Sequence, residues 1–232
     1  MGVVGGPDPI VDDGLVFTMD PTNLRSWPGP GSAAVTDMIN GSDGTLAAAT
    51  SGSYGVNTSF LFDGNDDSLN ISSPDSSLGF GSDGFTIALW CRSINYDNAY
   101  PYLIDFRTGG DTGTIVFYFQ RHSNTNEAGL EVYINTTVIS GATGTAVPEG
   151  DWKYVAVTRS GTTHTTYING VQDQTATSGA TTIGTPNEIY IARRYTNAYH
   201  WNGNIGPIHM YNRALTATEL IENYNTLKDR FV

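Results

Sequence analysis

Short runs in which apolar and polar residues alternate recur along the whole chain, and turn-forming residues separate them. Such alternation predicts β-strands that bury one face, because successive side chains of a strand point to opposite sides. The clearest run covers residues 85–92, where Phe85, Ile87, Leu89 and Cys91 share the face predicted to be core. Further strands are predicted at residues 15–20, 102–106, 114–119, 130–134, 151–158, 165–168, 188–192 and 205–211.

Two segments carry turn signals between alternating runs. Residues 59–71 alternate around Phe60 and Phe62, break at an Asp-Gly pair and then resume the alternation, which predicts a β-hairpin. Asn169 and Gly170 separate two further alternating runs, and this dipeptide is the strongest short signal for a two-residue hairpin turn. The many glycines and prolines elsewhere indicate short strands joined by turns.

One helix is predicted, at the C-terminal end. Thr216 and Glu219 have the spacing of a capping box, in which each side chain caps the backbone of the other residue. Leu220, Tyr224 and Leu227 then recur on one side of the predicted helix. The pattern therefore indicates an all-β chain with one short helix.

Several motifs resemble those of laminin-G-like, concanavalin-A-like jelly-roll domains, in the order of that family. They are Phe-Asp-Gly-x-Asp-Asp-x-Leu (62–69), Trp-x-x-Val-Ala-Val-Thr (152–158), Tyr-Ile-Asn-Gly-Val (167–171) and Tyr-Asn-Arg-Ala-Leu-Thr (211–216). The Trp-Pro-Gly-Pro-Gly loop (27–31) is similar to the N-terminal region of such domains in bacteriophage structural proteins. The resemblance covers residues 14–228 and implies an all-β, two-sheet antiparallel jelly-roll sandwich.

The domain organisation follows from the same pattern. Residues 14–232 are expected to form a single domain, and residues 1–13, with their prolines, glycines and aspartates, to form an extended N-terminal arm. The arm either frays or docks on a neighbouring subunit, which would allow a homo-oligomer or attachment to a capsid. Residues 1–14 lack the features of a signal peptide. We therefore expect synthesis in a host cytoplasm and residence in a virion, with a cell-surface or extracellular location as the alternative.

Charge and composition restrict the partners. The formal net charge of −12 argues against binding nucleic acid, because phosphate recognition needs clustered lysine and arginine. No apolar run approaches the length needed to insert into a membrane. Cys91 is the single cysteine, so an internal disulfide framework is excluded, and its place in an apolar strand predicts a buried, unreactive thiol.

Catalysis is not expected. Related glycoside hydrolases carry a Glu-x-Asp-x-x-Glu strand that places their carboxylates on one face, and this chain has no such motif. Glu127 and Glu131 are the nearest imitation, without an aspartate between them. The chain also lacks a Gly-x-Ser-x-Gly turn and a glycine-rich phosphate loop, so neither an enzyme nor a cofactor is predicted.

Metal binding has two possible interpretations. Asp63, Asp66 and Asp67 offer the oxygen ligands that calcium prefers, but the favoured interpretation is that Asp63 closes the Asp-Gly turn and the other two are solvated. The family resemblance implies a calcium ligand on a late strand, where this chain has Gly206 followed by Pro207. No metal is therefore predicted.

Recognition is the remaining hypothesis, and it rests on two loops, 95–102 and 193–201, that concentrate aromatic and hydrogen-bonding side chains. The candidate ligand-binding residues are Tyr96, Asn98, Tyr100, Tyr102, Arg193, Arg194, Tyr195, Tyr199, His200 and Trp201. Aromatic rings stack on the apolar faces of sugars, while asparagine, aspartate and arginine can bind hydroxyl groups. Tyrosine, tryptophan and arginine are also enriched at protein interfaces, and surface tyrosines can bind nothing at all.

Two functions therefore stay open at this point. The first is a non-catalytic, lectin-like module on a phage virion or a cell surface, with a glycan as its partner. The second is a virion structural protein, either a capsid decoration or a fibre component, that contacts viral or host surface proteins. The paired arginines at 193–194 reverse the local charge of an acidic chain and favour an acidic ligand. If the aromatic residues of the two loops belong to the core, the face that carries Trp90 and Arg92 is the next candidate.

Overall fold

The structure, a computed structural model, describes residues 9–47, 59–96, 100–107, 115–122, 126–135, 137–139, 141–178 and 182–232. In these residues the helix α1 is Ala217–Leu227, and single 3-10 turns lie at Ser76–Leu78, Gly141–Thr143 and Lys228–Arg230. The strands are β1 (Leu15–Met19), β2 (Ala34–Val35), β3 (Gly44–Ala47), β4 (Phe60–Asp63), β5 (Ser68–Ile71), β6 (Phe85–Ser93), β7 (Tyr102–Asp105), β8 (Ile115–Arg121), β9 (Glu127–Ile134), β10 (Thr137–Ile139), β11 (Val147–Pro148), β12 (Lys153–Ser160), β13 (Thr163–Ile168), β14 (Val171–Thr177), β15 (Ile189–Ile191) and β16 (Asn202–Tyr211).

The strands form two antiparallel sheets that pack face to face. Sheet I has the order β1-β16-β6-β12-β13-β14, with β4 also paired to β16. Sheet II has the order β10-β9-β8-β7-β15-β5-β3-β2, with β11 paired to β9. Several pairings join strands that are distant in sequence, such as β16 with β1, β4 and β6 in sheet I and β15 with β5 and β7 in sheet II, as in a jelly roll, and a large apolar core fills the space between the sheets. The predicted all-β sandwich with one short C-terminal helix is confirmed.

The hairpin predicted for residues 59–71 is wrong, because its two strands belong to different sheets. Strand β4 pairs with β16 in sheet I, whereas β5 pairs with β3 and β15 in sheet II. Phe60 and Phe62 face the core from one side, and Leu69 and Ile71 face it from the other. The alternation continues through the turn because both strands border the same interior.

The hairpin predicted at Asn169 and Gly170 is present between β13 and β14, with Ile168 opposite Val171. Asn169 has φ 54° and Gly170 has φ 77°. Two successive positive φ values define the tight turn that matches the right-handed twist of paired strands. The outcome shows how strongly this dipeptide specifies its turn.

Strand β6 confirms the predicted core face and resolves the position of Trp90. Phe85, Ile87, Leu89 and Cys91 are buried in the core between the sheets, and burial raises the pKa of the Cys91 thiol. Trp90 points to the opposite side and is fully covered there. The Trp90 ring is therefore not accessible to a surface ligand, whereas Arg92 on the same face is exposed.

Trp90 is covered by the C-terminal segment. Its ring stacks on Phe231, with centroids 4.5 Å apart, and on Tyr224 of α1 at 5.5 Å. The predicted capping box is present: the Thr216 side chain accepts from the Glu219 N–H, and the Glu219 carboxylate accepts from the Thr216 N–H. In the described residues no helix is long and apolar enough to cross a membrane.

The predicted N-terminal arm needs correction at its C-terminal end. Ile10 and Val11 pack against the cluster beneath α1, where the Val11 N–H donates to Asn223 Oδ1 at 2.8 Å. The Tyr211 hydroxyl donates to the Val11 carbonyl at 3.0 Å. These residues belong to the domain, while residues 1–8 lie outside the described part of the chain. The outer face of sheet I is thus covered by α1 and by this segment at its centre, around Trp90, Tyr154 and Tyr211.

Candidate functional site

A pocket of about 530 Å³ lies on the outer face of sheet II, where strands β7, β8 and β9 run side by side. The strands supply Tyr102, Val116, Tyr118, Gln120, Glu131 and Tyr133 to its lining. Residues beyond the strand ends complete the lining: Tyr100, Arg107, Asn135, Arg194 and Tyr199. This lining combines aromatic surface with a small number of polar groups, as small-molecule sites commonly do.

Strand alternation places these side chains together. In β8, Phe117 and Phe119 point into the core, so Tyr118 points outward between them. The register sets Tyr102 opposite Tyr118, and Tyr118 opposite Glu131, so that three adjacent strands contribute one row of the pocket. Side chains on paired strands lie about 5 Å apart, which is close enough for direct contact across the row.

Four tyrosines form a continuous stack along the pocket wall. The ring centroids of Tyr199 and Tyr102 are 5.9 Å apart, those of Tyr102 and Tyr118 are 4.8 Å apart, and those of Tyr118 and Tyr133 are 6.0 Å apart. The successive interplanar angles are 17°, 6° and 12°. Tyr100 contacts Tyr118 and Tyr199 edge-on. The pocket thus has an ordered aromatic wall whose spacing is that of favourable aromatic pairs.

A buried ion pair holds one end of this wall. Asp105 is fully buried and binds the Arg107 guanidinium through both oxygens, with an Nε–Oδ1 distance of 3.0 Å. Burial alone would lower the pKa of Arg107, but the neighbouring Asp105 outweighs it and raises the pKa. Arg107 also donates to the Tyr102 hydroxyl at 3.0 Å, and Asp105 accepts from the Tyr195 N–H at 3.1 Å. Asp105 therefore fixes both Arg107 and the loop that contains Tyr195.

Glu131 provides the acceptor at the other end of the pocket. The Tyr118 hydroxyl donates a hydrogen bond to Glu131 Oε1, and the Gly141 N–H donates to Oε2 at 3.0 Å. Burial and the Glu131 carboxylate together raise the pKa of the Tyr118 hydroxyl, so this group stays protonated and donates. Gln120 Oε1 is a further buried acceptor, without a hydrogen-bond partner in the described residues. This end of the pocket can therefore accept hydrogen bonds from a ligand.

The two neighbouring arginines of the loop 193–201 have different environments. The Arg194 guanidinium lies 5.6 Å from the Tyr195 ring centroid and 5.7 Å from that of Tyr199, at the edge of the pocket. Arg193 instead lies 4.3 Å over the Tyr190 ring and donates to Asn70 Oδ1. Burial lowers the pKa of Arg193, against the favourable charge of its acidic neighbours. Only the second of this pair, Arg194, lines the pocket.

The structure brings together part of the predicted site. Tyr100, Tyr102, Arg194 and Tyr199 line the pocket, and Tyr195 packs against its two arginines. Arg193 belongs to the neighbouring part of the same sheet face. Asn98 lies outside the described residues.

Three predicted site residues are buried instead and need correction. Trp201 is 0% exposed and stacks on Phe119 inside the sandwich, because the chain turns inward where it enters β16. Tyr96 also packs against Phe119, and burial raises the pKa of its hydroxyl. His200 is also buried, with Nδ1 3.4 Å from the Asp67 carbonyl oxygen. None of the three presents its side chain to a surface ligand.

The sequence interpretation missed five lining residues on the strands and two just beyond the strand ends: Val116, Tyr118, Gln120, Glu131 and Tyr133, and Arg107 and Asn135. A signal was available, because Tyr118 and Tyr133 occupy the outward positions of predicted strands whose inward positions are apolar. Two large aromatic side chains on the polar face of adjacent strands indicate a surface with a function. The loops alone supplied four of the eleven lining residues.

The carboxylates considered for calcium lie close together. Asp63, Asp66 and Asp67 each have an oxygen within 4.8 Å of the others. Asp63 accepts from the Asn65 N–H at 2.8 Å, and Asp67 accepts from the Asp63 N–H at 3.0 Å. These carboxylates thus hold the turn that carries the chain from sheet I to sheet II.

The late-strand calcium position of the family does not fit a metal in this chain. Gly206 offers no side-chain ligand, and a Cβ atom there would lie 3.0 Å from Phe231 Cζ and 3.0 Å from Trp90 Cβ. The space that a ligand side chain would need is filled by the aromatic packing under α1. The absence of metal binding stays a prediction for the chain as a whole.

The structure is thus a two-sheet antiparallel sandwich with an aromatic pocket on one open sheet face. The family model described as the concanavalin A-like lectin/glucanases superfamily matches residues 63–221, and the chain belongs to this family. No curated protein sequence matches the chain significantly.

Solved structures agree on the fold. A Trypanosoma rangeli sialidase in complex with difluorosialic acid has a TM-score of 0.67 at 14% identity, over 93% of this chain and 33% of that chain. Domain 4 of a Geobacillus stearothermophilus arabinanase, in complex with arabinotriose, has a TM-score of 0.57 at 14% identity, over 90% and 98% of the two chains. The binding domain of Paraclostridial Mosquitocidal Protein 1 has a TM-score of 0.55 at 16% identity, over 92% and 52%. This chain spans about a third of the sialidase, and these identities show the fold alone.

Proposed function

We propose that this chain is a non-catalytic, lectin-like module that binds a glycan in the tyrosine pocket of sheet II. The observation that carries the proposal is the stack from Tyr199 through Tyr102 and Tyr118 to Tyr133, bordered by polar groups at both ends. A tyrosine wall offers apolar surface to the C–H faces of a sugar, while the end groups bind its hydroxyls. The stack is preformed, so binding orders few additional side chains.

The structural likeness to the arabinanase domain supports this proposal. That domain is of similar length to this chain, and it was solved in complex with arabinotriose. An oligosaccharide ligand is therefore compatible with a sandwich of this size and topology. The ligand of this chain has to be argued from its own pocket, because fold alone does not specify function.

The non-catalytic part of the proposal rests on the carboxylates. Glycoside hydrolysis usually needs two carboxyl groups facing each other, about 5 to 10 Å apart. Among the described lining residues, Glu131 is the one carboxylate, and both of its oxygens already accept hydrogen bonds from Tyr118 and Gly141. Release of reducing sugar from a polysaccharide panel, abolished by Glu131→Gln, would refute this part of the proposal.

The binding proposal is tested on an array of immobilised oligosaccharides with neutral and acidic members, followed by titration calorimetry of the strongest binder. Tyr133→Ala and Tyr199→Ala are expected to weaken binding about two- to tenfold each, the size of one aromatic contact. Tyr190→Ala is the matched control, because Tyr190 lies on the same sheet face outside the pocket lining. Binding that survives both pocket variants, or no binding to any member, would refute the proposal.

A protein partner on the same face is the second candidate, and exposed apolar surface favours it. Tyr100, Tyr133 and Val138 are 37%, 38% and 40% exposed, and the last two are cross-strand neighbours on β9 and β10. Such residues are enriched at protein interfaces. In this second proposal the chain is a structural component of a virion. Its location, in a virion or on a cell surface, is proposed together with that function. A Tyr133→Ala variant that loses self-association or particle binding in sedimentation, without any glycan ligand, would favour this second function.

A further inference from the structure

The three charged side chains that line the pocket differ in how they are neutralised. Arg107 is paired with the buried Asp105. Glu131 accepts hydrogen bonds from the Tyr118 hydroxyl and the Gly141 N–H. For Arg194, in contrast, the described residues provide neither an ion pair nor a side-chain hydrogen bond, and its Nε is buried without a partner. The pocket therefore keeps one cation whose donors are unused within the described structure.

Arg194 is nevertheless held in place. Its guanidinium contacts the rings of Tyr195 and Tyr199, and its N–H donates to the Ala198 carbonyl at 2.9 Å. Its own carbonyl accepts from the Asn197 N–H at 3.0 Å. Aromatic contacts of this kind orient a guanidinium while leaving its hydrogen-bonding edge available. Arg194 is thus preorganised for a planar acidic group.

The acceptors of the pocket lie at the other end. The loop of Arg194 borders β7, where the Tyr102 N–H donates to the Tyr199 carbonyl at 3.0 Å. Glu131 lies on β9, and β8 separates β7 from β9. Two strand spacings amount to about 10 Å, so the cation and the carboxylate stand at opposite ends of the tyrosine wall. Gln120 adds a second acceptor from β8.

We infer that the pocket takes a glycan containing a carboxylated sugar, with the sugar carboxylate on Arg194 and sugar hydroxyls donating to Glu131 and Gln120. This inference rests on the proposed glycan-binding function and adds the class of sugar. The planar guanidinium matches a carboxylate in two parallel hydrogen bonds, which is the geometry that favours arginine over lysine at such sites. The net charge of −12 opposes acidic ligands at long range, so the selectivity is local to Arg194.

The test uses the same array, containing neutral oligosaccharides beside members with uronic or sialic acids. The strongest acidic binder is then titrated as the free carboxylate and as its methyl ester, which differ in charge but retain the sugar ring. We expect the free acid to bind at least about tenfold more tightly than the ester, the size of one charge-assisted hydrogen-bonded contact. Its affinity should also fall with added salt, whereas that of the ester should not.

Variants assign the effect to one side chain. Arg194→Gln is expected to weaken binding of the free acid at least about tenfold and to leave the ester within about twofold. Arg194→Lys should retain part of the preference, because the charge remains while the planar fork is lost. Arg25→Gln is the matched control, since Arg25 is exposed outside the pocket and its replacement changes the net charge equally.

The outcomes distinguish a failure of the acidic-sugar inference from a failure of the proposed glycan-binding function. Binding of neutral glycans alone, or an acid preference that Arg194→Gln does not reduce, would overturn the acidic-sugar inference while the glycan-binding function stands. Absence of binding to every array member would overturn both. Melting temperatures of the Arg194 variants verify that they fold, so that a loss of affinity reports on the contact itself.

Discussion

Tyr102 and Tyr118 face each other on neighbouring strands, with ring centroids 4.8 Å apart and ring planes 6° from parallel. Each hydroxyl leaves this stacked pair toward a charged side chain: Arg107 donates to the Tyr102 hydroxyl, and Tyr118 donates to Glu131. The aromatic wall of the pocket is therefore tied to polar groups on both sides. Removing a hydroxyl changes those polar groups while the stack itself remains.

Replacing Tyr118 by phenylalanine tests this coupling. Tyr118→Phe keeps the ring but leaves the buried Glu131 carboxylate without one of its donors. We expect the free energy of unfolding to fall by about 1–3 kcal/mol, the cost of a buried acceptor that loses its partner. Urea unfolding measures it, with Tyr100→Phe as the control, since Tyr100 is 37% exposed and its hydroxyl can bind water. Equal stabilities of the two variants would contradict the role assigned to the Tyr118 hydroxyl.

The Asp105–Arg107 pair predicts a larger effect. Asp105→Asn removes the buried carboxylate charge next to the Arg107 guanidinium and weakens the contact to the Tyr195 N–H. We expect a loss of about 3–5 kcal/mol in the free energy of unfolding, the usual cost of removing one member of a buried pair. Asp151→Asn breaks the exposed pair with Lys153 and should change stability by less than about 1 kcal/mol. Similar losses in denaturant unfolding of the two variants would show that the Asp105 pair is not effectively buried.

Most strands and the helix could be predicted from the sequence, because alternation and the capping box are local patterns. Pairing partners could not be predicted in the same way. Residues 59–71 alternate as a hairpin would, yet β4 and β5 belong to opposite sheets. A strand that faces the core from sheet I and one that faces it from sheet II leave the same pattern of alternation. The two-sheet sandwich was predicted from the resemblance to known domains and not from the residue pattern.

The candidate site was predictable in part for a similar reason. Loops rich in tyrosine and arginine were identified, but a loop has no period that tells which side chains point inward. Tyr199 lines the pocket, whereas Trp201, two residues later, is in the core. Tyr118 and Tyr133, in contrast, lie on strands whose alternation fixes their outward direction. The ion pair of Asp105 and Arg107 depends on the bend after β7 and had no signal in the pattern.

Because Trp201 is buried, its mutation is expected to affect stability and not only ligand binding. Trp201→Ala removes a fully buried ring that stacks on Phe119, so we expect a loss of about 3–5 kcal/mol in the free energy of unfolding. Tyr100→Ala removes a partly exposed ring at the pocket edge and should cost less than about 1 kcal/mol, because only part of the ring leaves a packed environment. Thermal unfolding followed by near-ultraviolet circular dichroism compares the two. A Trp201→Ala variant as stable as the parent would contradict its core position.

Gly206 is expected to tolerate no side chain. A Cβ atom there would lie 3.0 Å from both Phe231 Cζ and Trp90 Cβ, within the stack that attaches the C-terminal segment. Gly206→Ala should lower the free energy of unfolding by about 1–3 kcal/mol through overpacking. Gly184→Ala is the matched control, because a Cβ atom at Gly184 meets no heavy atom within 4 Å. Denaturant unfolding of both variants tests the prediction, and a neutral Gly206→Ala would mean that Phe231 moves aside without cost.

Acid should destabilise the fold through a buried histidine before it protonates the paired carboxylates. Burial lowers the pKa of His209 from 6.5 to about 4, with a smaller opposing effect of Asp20 and a reinforcing effect of Arg230. His209 Nδ1 is buried without a hydrogen-bond partner in the described residues, so a proton on this nitrogen would find no acceptor there to stabilise it. The pKa of His164 is lowered to about 4 as well, first by burial and then by Arg159. Arg213 lowers the pKa of the Glu219 carboxyl to about 2, so this carboxyl is protonated only at lower pH.

The sign of the effect follows from proton binding. Between pH 6.5 and pH 4 the unfolded chain binds a proton at residue 209 that the folded protein excludes, so the stability contribution is complete above pH 6.5 and decreases as the pH falls. At the lower end of this pH range, the decrease in the free energy of unfolding that is due to this one residue amounts to about 3 kcal/mol. Urea unfolding at several pH values between about 7 and 4 measures the slope, and His209→Gln should reduce it even where the variant is less stable overall. An unchanged slope in His209→Gln would assign the acid sensitivity to other groups, of which His164 is the first to replace.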